Sequence, residues 1–363
     1  MASACVSELE QVLEKARNRA PLSSGDIEFL VNLEDSGLKD EVFRTARELR
    51  YRYFGDEVFL YGFVYISTYC RNSCHFCVYR KQNRPLDRYR KSEKEILDTA
   101  RLLASAGVHL IDLTMGEDPQ LFQNRFEPLI HLVSLVRKET GLPVMVSPGV
   151  VPDEALVGLR QAGADWYACY QETHSEALFS QLRPGQDYQK RLRSKQFAHE
   201  QGLLIEEGIL CGLGESVADI AHSLRMMKLL NADQIRVMTF VPHFAVPLAG
   251  VREFNIDREL LVIAAMRLVF PDRLIPASLD IEGVSGLKKR LLAGANIVTS
   301  LIPPGQRLAG VAQRTLDIED GRRSVSEVMR ILADCDLSPA SATGYRCWIQ
   351  GKSSALGSTS KTR

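Results

Sequence analysis

The chain has little of what would mark a secreted, membrane-bound or nucleic-acid-binding protein. Its 45 basic and 45 acidic residues give no net charge, so there is no basic surplus for nucleic acid or a membrane surface. No run of about 18 apolar residues is long enough to span a membrane. The first residues, MASACVSELEQVLEKARNR, lack the charged-then-apolar order of a signal peptide. We therefore expect a cytoplasmic protein with no membrane partner and no nucleic-acid partner.

Cysteine is also scarce, because eight residues in a chain of 363 are too few for a disulfide framework. Cys70, Cys74 and Cys77 nevertheless lie together in the stretch CRNSCHFC, which indicates a metal site. A structural zinc ion needs a fourth ligand, and His75 could supply it only in a cramped geometry between its neighbours. Iron-sulphur clusters use closely spaced thiolates, and three protein ligands leave one iron open to bind another molecule.

Eight short apolar segments alternate with stretches of helical periodicity. Most are rich in Val, Ile, Leu or aromatics, as parallel strands covered on both faces should be. The strand segments are 58–66, 108–116, 142–149, 164–172, 203–213, 232–242, 274–281 and 294–303. Helices are predicted at 92–107, 124–141 and 217–232, the first with a capping box of Ser92 and Glu95. The pattern predicts an α/β protein, a (β/α)8 TIM-type barrel with an N-terminal helical extension; an open doubly wound sheet is the alternative.

The rest of the chain divides around this barrel. We expect a helical extension at 1–50, the barrel at 51–320 and a C-terminal helical segment at 321–350. The tail at 351–363 consists mainly of Ser, Gly, Thr and Lys, so we expect it to be disordered.

Polar residues stand at the carboxyl ends of the predicted strands, where barrel enzymes place their active sites. They are Asp112, Thr114, Ser147, Glu172, Arg236, Ser278 and Asp280. The two-residue period of a strand puts Asp112 beside Thr114 and Ser278 beside Asp280. Each one alone could be a salt-bridged or hydrogen-bonded residue of the barrel core, whereas the whole set favours a polar pocket.

The cysteine stretch follows the first strand, and there the sequence resembles the radical S-adenosylmethionine (radical SAM) superfamily, whose motif is CxxxCxxC. The resemblance implies that Cys70, Cys74 and Cys77 hold a 4Fe-4S cluster. It also implies that the open iron binds the amino and carboxylate groups of S-adenosyl-L-methionine. Phe76, the aromatic residue before the last cysteine, is then expected near the adenine.

Within that superfamily the chain resembles the methylornithine synthases of pyrrolysine biosynthesis from about residue 45 to about residue 315. The phrases that carry the resemblance include DLTMGEDP, VMVSPG, YQETH with LRPGQDYQKR, and IRVMTF. The resemblance implies cofactor contacts by Glu117 and Ser147 near the methionine moiety. Glu172, Arg183 and Arg191 are then expected around its carboxylate or the ribose. A solvated helix face is the alternative for the two arginines.

The resemblance implies an isomerase, a mutase that converts L-lysine to (3R)-3-methyl-D-ornithine by hydrogen abstraction, fragmentation and recombination. The radical comes from the cofactor, so no protein side chain is expected to act as a catalyst, and a low-potential electron donor of the ferredoxin or flavodoxin type is needed. Lysine carries one carboxylate and two ammonium groups. We assign Arg236 to the carboxylate, Asp280 with Ser278 to the α-ammonium, and Asp112 to the side-chain ammonium, although the two aspartates could exchange roles.

Other functions remain open from the sequence. Weaker resemblances extend to the FeFe-hydrogenase maturase and to biotin synthase, which act on other small molecules. A second cluster of the biotin-synthase kind would need more strand cysteines than Cys169 and Cys211. A non-catalytic iron-sulphur carrier or a zinc-stabilised binding protein would need neither an open iron nor a polar barrel mouth.

Overall fold

The computed structural model describes residues 2–251, 256–310 and 317–359, with side chains from residue 5 to residue 352 within those ranges. Each predicted strand segment coincides with one observed strand of the barrel; the first strand extends one residue beyond its segment at each end, and the other seven strands are shorter than predicted. The strands are β1 (Glu57–Ser67), β2 (Leu110–Met115), β3 (Val144–Ser147), β4 (Trp166–Ala168), β5 (Leu204–Cys211), β6 (Gln234–Thr239), β7 (Pro276–Ser278), β8 (Ile297–Leu301) and the short β9 (Ser338–Pro339).

The strands form a nearly closed parallel barrel. Their order is β6-β5-β4-β3-β2-β1-β8-β7, and every neighbouring pair in this order is parallel. β6 and β7 meet through a single bridge between Gln234 and Leu274. Each strand thus lies beside its neighbour in the chain, which confirms the (β/α)8 prediction over the open doubly wound sheet.

Helices surround the barrel and extend it at both chain ends. They are α1 (Ala2–Arg17), α2 (Ser24–Val31), α3 (Ser36–Phe54), α4 (Glu93–Ser105), α5 (Gln123–Thr140), α6 (Asp153–Gln161), α7 (Glu176–Leu182), α8 (Tyr188–Glu200), α9 (Val217–Leu229), α10 (Ile256–Val269), α11 (Leu287–Leu292), α12 (Val325–Ala333) and α13 (Ala342–Thr359). The predicted capping box of Ser92 and Glu95 opens α4. None of the described helices is long and apolar enough to cross a membrane.

Strand alternation sorts the core into two layers. One face of each strand packs under the helices in the main apolar cluster, which includes Val64, Ile111 and Val146. The other face fills the lumen, where the bulky side chains Phe59 and Trp166 occupy the lower part. The lumen is therefore packed with bulky side chains towards the amino-terminal ends of the strands, and the charged groups Asp112, Arg236 and Asp280 lie closer to the carboxyl ends.

The C-terminal helix corrects the expectation for the tail. α13 continues through Thr359, so the backbone is helical over residues 351–359, where disorder was expected; residues 360–363 lie outside the described residues. Tyr345 and Ile349 are buried near the start of this helix and anchor it. Once a helix is nucleated, each further residue adds one backbone hydrogen bond at small cost, so polar composition alone does not end it.

Candidate active site

A cavity opens at the carboxyl ends of the strands and gathers all of the residues predicted to hold the cluster and the cofactor. The predicted residues in its wall are Cys70, Cys74, Phe76, Cys77, Glu117, Ser147, Glu172, Arg183 and Arg191. Arg183 and Arg191 are both buried, which excludes the solvated helix face as their setting. They come from the end of α7 and from α8, so residues far apart in the chain converge at one mouth.

The cysteine loop is fixed to the barrel by backbone contacts. The N–H of Arg71 donates to the carbonyl of Glu117 at 3.0 Å, and the N–H of His75 donates to the carbonyl of Leu182 at 2.9 Å. Burial raises the pKa of the Cys77 thiol, and the neighbouring sulphurs of Cys74 and Cys70 raise it further. A positively charged group bound beside these thiols would favour their thiolate forms.

The donor set fits an iron-sulphur cluster better than a single ion. In the described part of the chain, no three His, Cys, Asp or Glu side chains are arranged to hold one metal ion. The three thiols instead line the same cavity wall, as suits a group larger than one ion. Gln186 donates its side-chain N–H to Cys74 Sγ at 3.0 Å, and Arg183 Nη1 lies 3.5 Å from the same sulphur. Cys74 therefore already has polar donors directed at it.

Glu117 is held at the cavity wall by a glycine and two arginines. Gly149 has φ of +77°, and a Cβ there would lie 2.3 Å from the Glu117 carboxyl, so only glycine lets this side chain pass. Arg71 Nε donates to Glu117 Oε2 at 2.8 Å, and Arg191 Nη1 lies 3.5 Å from Oε1. The side chain is thus fixed by contacts on both carboxylate oxygens.

Glu172 adopts an unusual backbone conformation in the segment that follows β4. Its φ is +67°, in the left-handed region, and its N–H and C=O pair with Gly208 and Leu210 of β5. The turn directs the carboxylate to Arg183 Nη2 at 3.1 Å. Burial raises the pKa of Glu172, while Arg183 opposes that shift. Backbone strain of this kind is common where a side chain must point into a binding site.

Deeper in the lumen, Arg236 of β6 is oriented by a carboxylate that the sequence analysis did not single out. Arg236 Nε donates to Glu206 Oε1 at 2.7 Å, and the Tyr170 hydroxyl donates to Glu206 Oε2 at 2.8 Å. The Tyr170 ring also lies under the guanidinium at 5.4 Å. Arg236 Nη2 is buried without a hydrogen-bond partner among the described residues. A buried unpaired donor is costly, so this nitrogen is suited to a ligand oxygen.

Asp112 of β2 presents the complementary unpaired acceptor. Ser147 Oγ donates to Asp112 Oδ1 at 3.0 Å, whereas Oδ2 is buried with no partner in the described part of the chain. Burial raises the pKa of Asp112 well above its usual range, and the nearby Glu206 carboxylate adds to that rise. Ser147 therefore lines the cavity and also contacts Asp112 in the lumen, so it lies between the expected cofactor and substrate regions.

Asp280 lies in a different environment from the one expected for a free substrate anchor. Its Oδ1 accepts from Arg323 Nη1 at 2.5 Å and from the Tyr65 hydroxyl at 2.5 Å. Ser300 donates to Oδ2 at 2.6 Å, and Ser278 Oγ lies 3.4 Å from it. Burial alone would raise the pKa of Asp280, but the Arg323 guanidinium holds it below the usual range. A protein cation already contacts this carboxylate, so an ammonium would have to share it.

Glu206, Ser300 and Arg323 in the lumen were not predicted from the sequence, and these residues differ in whether the sequence carries a signal for them. Glu206 could have been found, because the stretch LLIEEG places a second charged residue inside a buried strand. Ser300 could not, since its φ of +66° and the shifted β1–β8 register break the alternation that predicts side-chain direction. Arg323 lies beyond the barrel strands in a stretch without recognisable periodicity, and only the tertiary fold brings it to Asp280.

The fold and this mouth, with three thiols in the loop after the first barrel strand, define the radical SAM class, and residues 64–227 match the Radical SAM superfamily. The chain is 43% identical to 3-methylornithine synthase of Methanosarcina acetivorans over 333 residues, covering 92% of this chain and 95% of that protein. A crystal structure of methylornithine synthase (PylB) matches with a TM-score of 0.89 at 41% identity, covering 93% of this chain and 99% of the other.

The FeFe-hydrogenase maturase subunit HydE of Thermotoga maritima is more distant, at 30% identity over 291 residues, which cover 79% of this chain and 82% of that protein. The chain belongs to the 3-methylornithine synthase family of the radical SAM superfamily.

Proposed function

We propose that this chain is a radical SAM isomerase that converts L-lysine into (3R)-3-methyl-D-ornithine. The observation that carries the proposal is that two charged side chains of the lumen, Arg236 and Asp112, each have a buried atom (Nη2 and Oδ2) with no hydrogen-bond partner among the described residues. One is a donor on a guanidinium and the other an acceptor on a carboxyl group, and both are buried at the end of the barrel that faces the cavity. A ligand with a carboxylate and an ammonium group satisfies both.

The charge of the lumen supports lysine in particular. The set contains three carboxylates (Asp112, Glu206, Asp280) and two guanidiniums (Arg236, Arg323). Contact with a substrate ammonium favours the ionised form of Asp112, and with all five groups ionised the set has one net negative charge. Lysine has one net positive charge at neutral pH, so its binding neutralises the lumen. A neutral amino acid or a dicarboxylate would leave buried charge uncompensated.

Each anchor then has a defined task. Arg236, fixed by Glu206 through Nε, turns its free Nη2 to the substrate carboxylate. Asp112 accepts from an ammonium group, and Asp280 with Ser278 accepts from the other while remaining in contact with Arg323. These contacts hold both ends of the substrate, which keeps fragments in place between cleavage and rejoining.

The cavity wall supplies the place for the cofactors. Cys70, Cys74 and Cys77 hold a 4Fe-4S cluster, and Phe76, Glu117, Ser147, Glu172, Arg183 and Arg191 surround S-adenosyl-L-methionine. When bound, these groups supply the radical that removes a hydrogen atom from lysine. The protein itself binds, orients and excludes water, as the buried mouth residues require.

The test is an anaerobic incubation of the reconstituted, reduced protein with S-adenosyl-L-methionine and lysine deuterated at C4. Mass spectrometry should find a product isobaric with lysine, separable from it and retaining the label. Asp112→Asn keeps the side-chain volume and Arg236→Lys keeps the positive charge. Each variant should abolish lysine binding measured by calorimetry. Unchanged lysine affinity in both variants would contradict the assignment of the anchors.

The main rival is a maturase-like radical SAM enzyme acting on another small molecule. Formation of 5′-deoxyadenosine that is slow, unlabelled and unaffected by lysine would favour it. A biotin-synthase-like second cluster has little support, because Cys211 packs in the apolar layer under the helices, which leaves Cys169 at the cavity wall as the single remaining thiol of the two.

A further inference from the structure

Basic residues are concentrated around the cysteine loop although the chain as a whole is neutral. Residues 71–91 contain seven basic side chains and a single acidic one, Asp87. The basic residues are Arg71, Arg80, Lys81, Arg84, Arg88, Arg90 and Lys91. Such local excess in a balanced chain produces a positive field over one part of the surface.

The segment 80–84 lies directly against the outside of the cysteine loop. The N–H of Lys81 donates to the carbonyl of Asn72 at 2.8 Å, and Gln82 Nε2 donates to Ser73 Oγ at 2.8 Å. Arg80 Nε donates to the carbonyl of Cys74 at 3.2 Å. The residues between Cys70 and Cys74 are therefore covered by this segment on their outer side.

Two of the basic side chains in this segment project into solvent without a side-chain partner among the described residues. Lys81 and Arg84 are exposed, and no described residue forms an ion pair or side-chain hydrogen bond with either. Other members of the set are engaged. Arg90 pairs with Asp118 at 2.6 Å, and Arg88 donates to carbonyls of its own loop, which fixes the loop's shape.

We propose that the surface formed by Arg80, Lys81 and Arg84 is the docking site for an acidic, low-potential one-electron carrier protein. The inference rests on the proposed function, which requires a reductant for the cluster. One electron passes from the reduced centre of the carrier to the cluster, so the carrier is oxidised by one electron and the cluster reduced by one. Docking there places the carrier one loop thickness from the cysteine sulphurs, and opposite charges steer the encounter.

The test measures cluster reduction and needs no lysine, so it is independent of the isomerase assignment. Reconstituted protein is mixed anaerobically with reduced flavodoxin, and the bleaching of the cluster is followed by stopped flow at several salt concentrations. The variant is Lys81→Glu/Arg84→Glu. The control is Lys138→Glu/Lys228→Glu, which makes the same charge change at the last turns of α5 and α9, at the opposite end of the barrel.

We expect the Lys81/Arg84 variant to lose about tenfold or more in the flavodoxin rate at low salt, as charge steering predicts. The control should keep the wild-type rate, and dithionite, a small reductant, should reduce both variants equally. Raising the salt concentration should lower the rate at which flavodoxin reduces the wild-type cluster. It should also reduce the difference between the wild-type rate and the rate of the Lys81/Arg84 variant. Equal flavodoxin rates for the two variants, or a wild-type rate insensitive to salt, would overturn the proposal.

Discussion

At the scale of single residues, Asp112 shows a conflict between stability and binding. Burial raises its pKa, so between about pH 3.9 and the folded-state value the native protein holds a proton that the unfolded chain releases. Stability therefore falls as pH rises through that window. Asp112→Asn removes this cost, and we expect its free energy of unfolding at pH 7 to equal or exceed that of the wild type, measured by urea denaturation.

Asp118, six positions along the chain, is the matched control because its environment has the opposite effect. Burial alone would raise its pKa, but Arg90 and Ser67 hydrogen bonds lower it. Its ionised form thus contributes stability above the unfolded pKa, and this contribution is lost as pH falls. Asp118→Asn should destabilise the protein at pH 7. A loss of stability in Asp112→Asn as large as that in Asp118→Asn would contradict the argument.

Glu206 is a positioning residue for Arg236. Glu206→Gln keeps one acceptor oxygen for Arg236 and can donate its amide N–H to the Tyr170 hydroxyl, but it loses the charge that pairs with the guanidinium. We expect KM for lysine to rise about tenfold or more, with a smaller change in kcat, because a misplaced guanidinium weakens binding before chemistry. Steady-state kinetics at saturating S-adenosyl-L-methionine measure this.

Tyr170→Phe is the milder companion to that variant. It removes the Tyr170 hydroxyl from Glu206 but leaves the Arg236–Glu206 pair, so only about 1 kcal/mol, or roughly a fivefold rise in KM, is expected. If Glu206→Gln left KM unchanged, Arg236 would be positioned by its other contacts.

At the scale of secondary-structure elements, a buried ion pair joins β5 to α8. Lys195 forms a salt bridge to Glu207, and both side chains are fully buried. Burial opposes ionisation of Glu207, but Lys195 and His174 lower its pKa to about 2. The pair's contribution is therefore present above about pH 4.3, the unfolded value, and lost as pH falls through about 2.

Removing Lys195 should lower the free energy of unfolding strongly, and removing the Glu207 charge as well should restore most of it. Lys195→Met leaves the Glu207 charge unpaired, and we expect a loss of about 3–5 kcal/mol in the free energy of unfolding. In the double variant with Glu207→Gln, whose side-chain oxygen can still accept from the Gln171 N–H, most of this loss should be recovered. Urea titrations of the two variants decide the matter, and equal stability for both would show that packing dominates.

The elements also show what the sequence could and could not predict. Strands were found because buried parallel strands read as apolar runs, but apolar composition does not fix where a strand ends, and β4 stops at Ala168 inside the predicted segment 164–172. Lumen residues on regular strands, such as Asp112 and Arg236, follow from alternation. Arg323 does not, because its contact with Asp280 depends on how the segment after β8 folds back over the barrel.

At the scale of the whole molecule, α13 closes the amino-terminal end of the barrel. The Tyr345 hydroxyl lies 2.6 Å from that of Tyr61 of β1, and Trp348 stacks on Trp166 of β4 at 5.9 Å. Just before this helix, the carbonyl of Ala340 contacts His109 Nε2 at 2.7 Å. The open mouth and the sealed base lie at opposite ends, so substrate and solvent reach the lumen from one side.

Two truncated chains distinguish the contribution of the first part of α13 from that of the residues after Lys352. A chain ending at Ser341 loses Tyr345, Trp348 and Ile349, and exposes the aromatic base of the lumen. Since removing one large buried aromatic side chain costs about 3–5 kcal/mol, the loss in the free energy of unfolding should exceed ~4 kcal/mol. A chain ending at Lys352 keeps every one of these contacts, including Lys352 over the Trp348 ring at 5.4 Å. Urea denaturation and binding of a hydrophobic dye measure the difference. The chain ending at Ser341 should bind dye and unfold at a lower urea concentration, whereas the chain ending at Lys352 should match the full-length protein. Equal stability of the two chains would show that the barrel base is stable without α13.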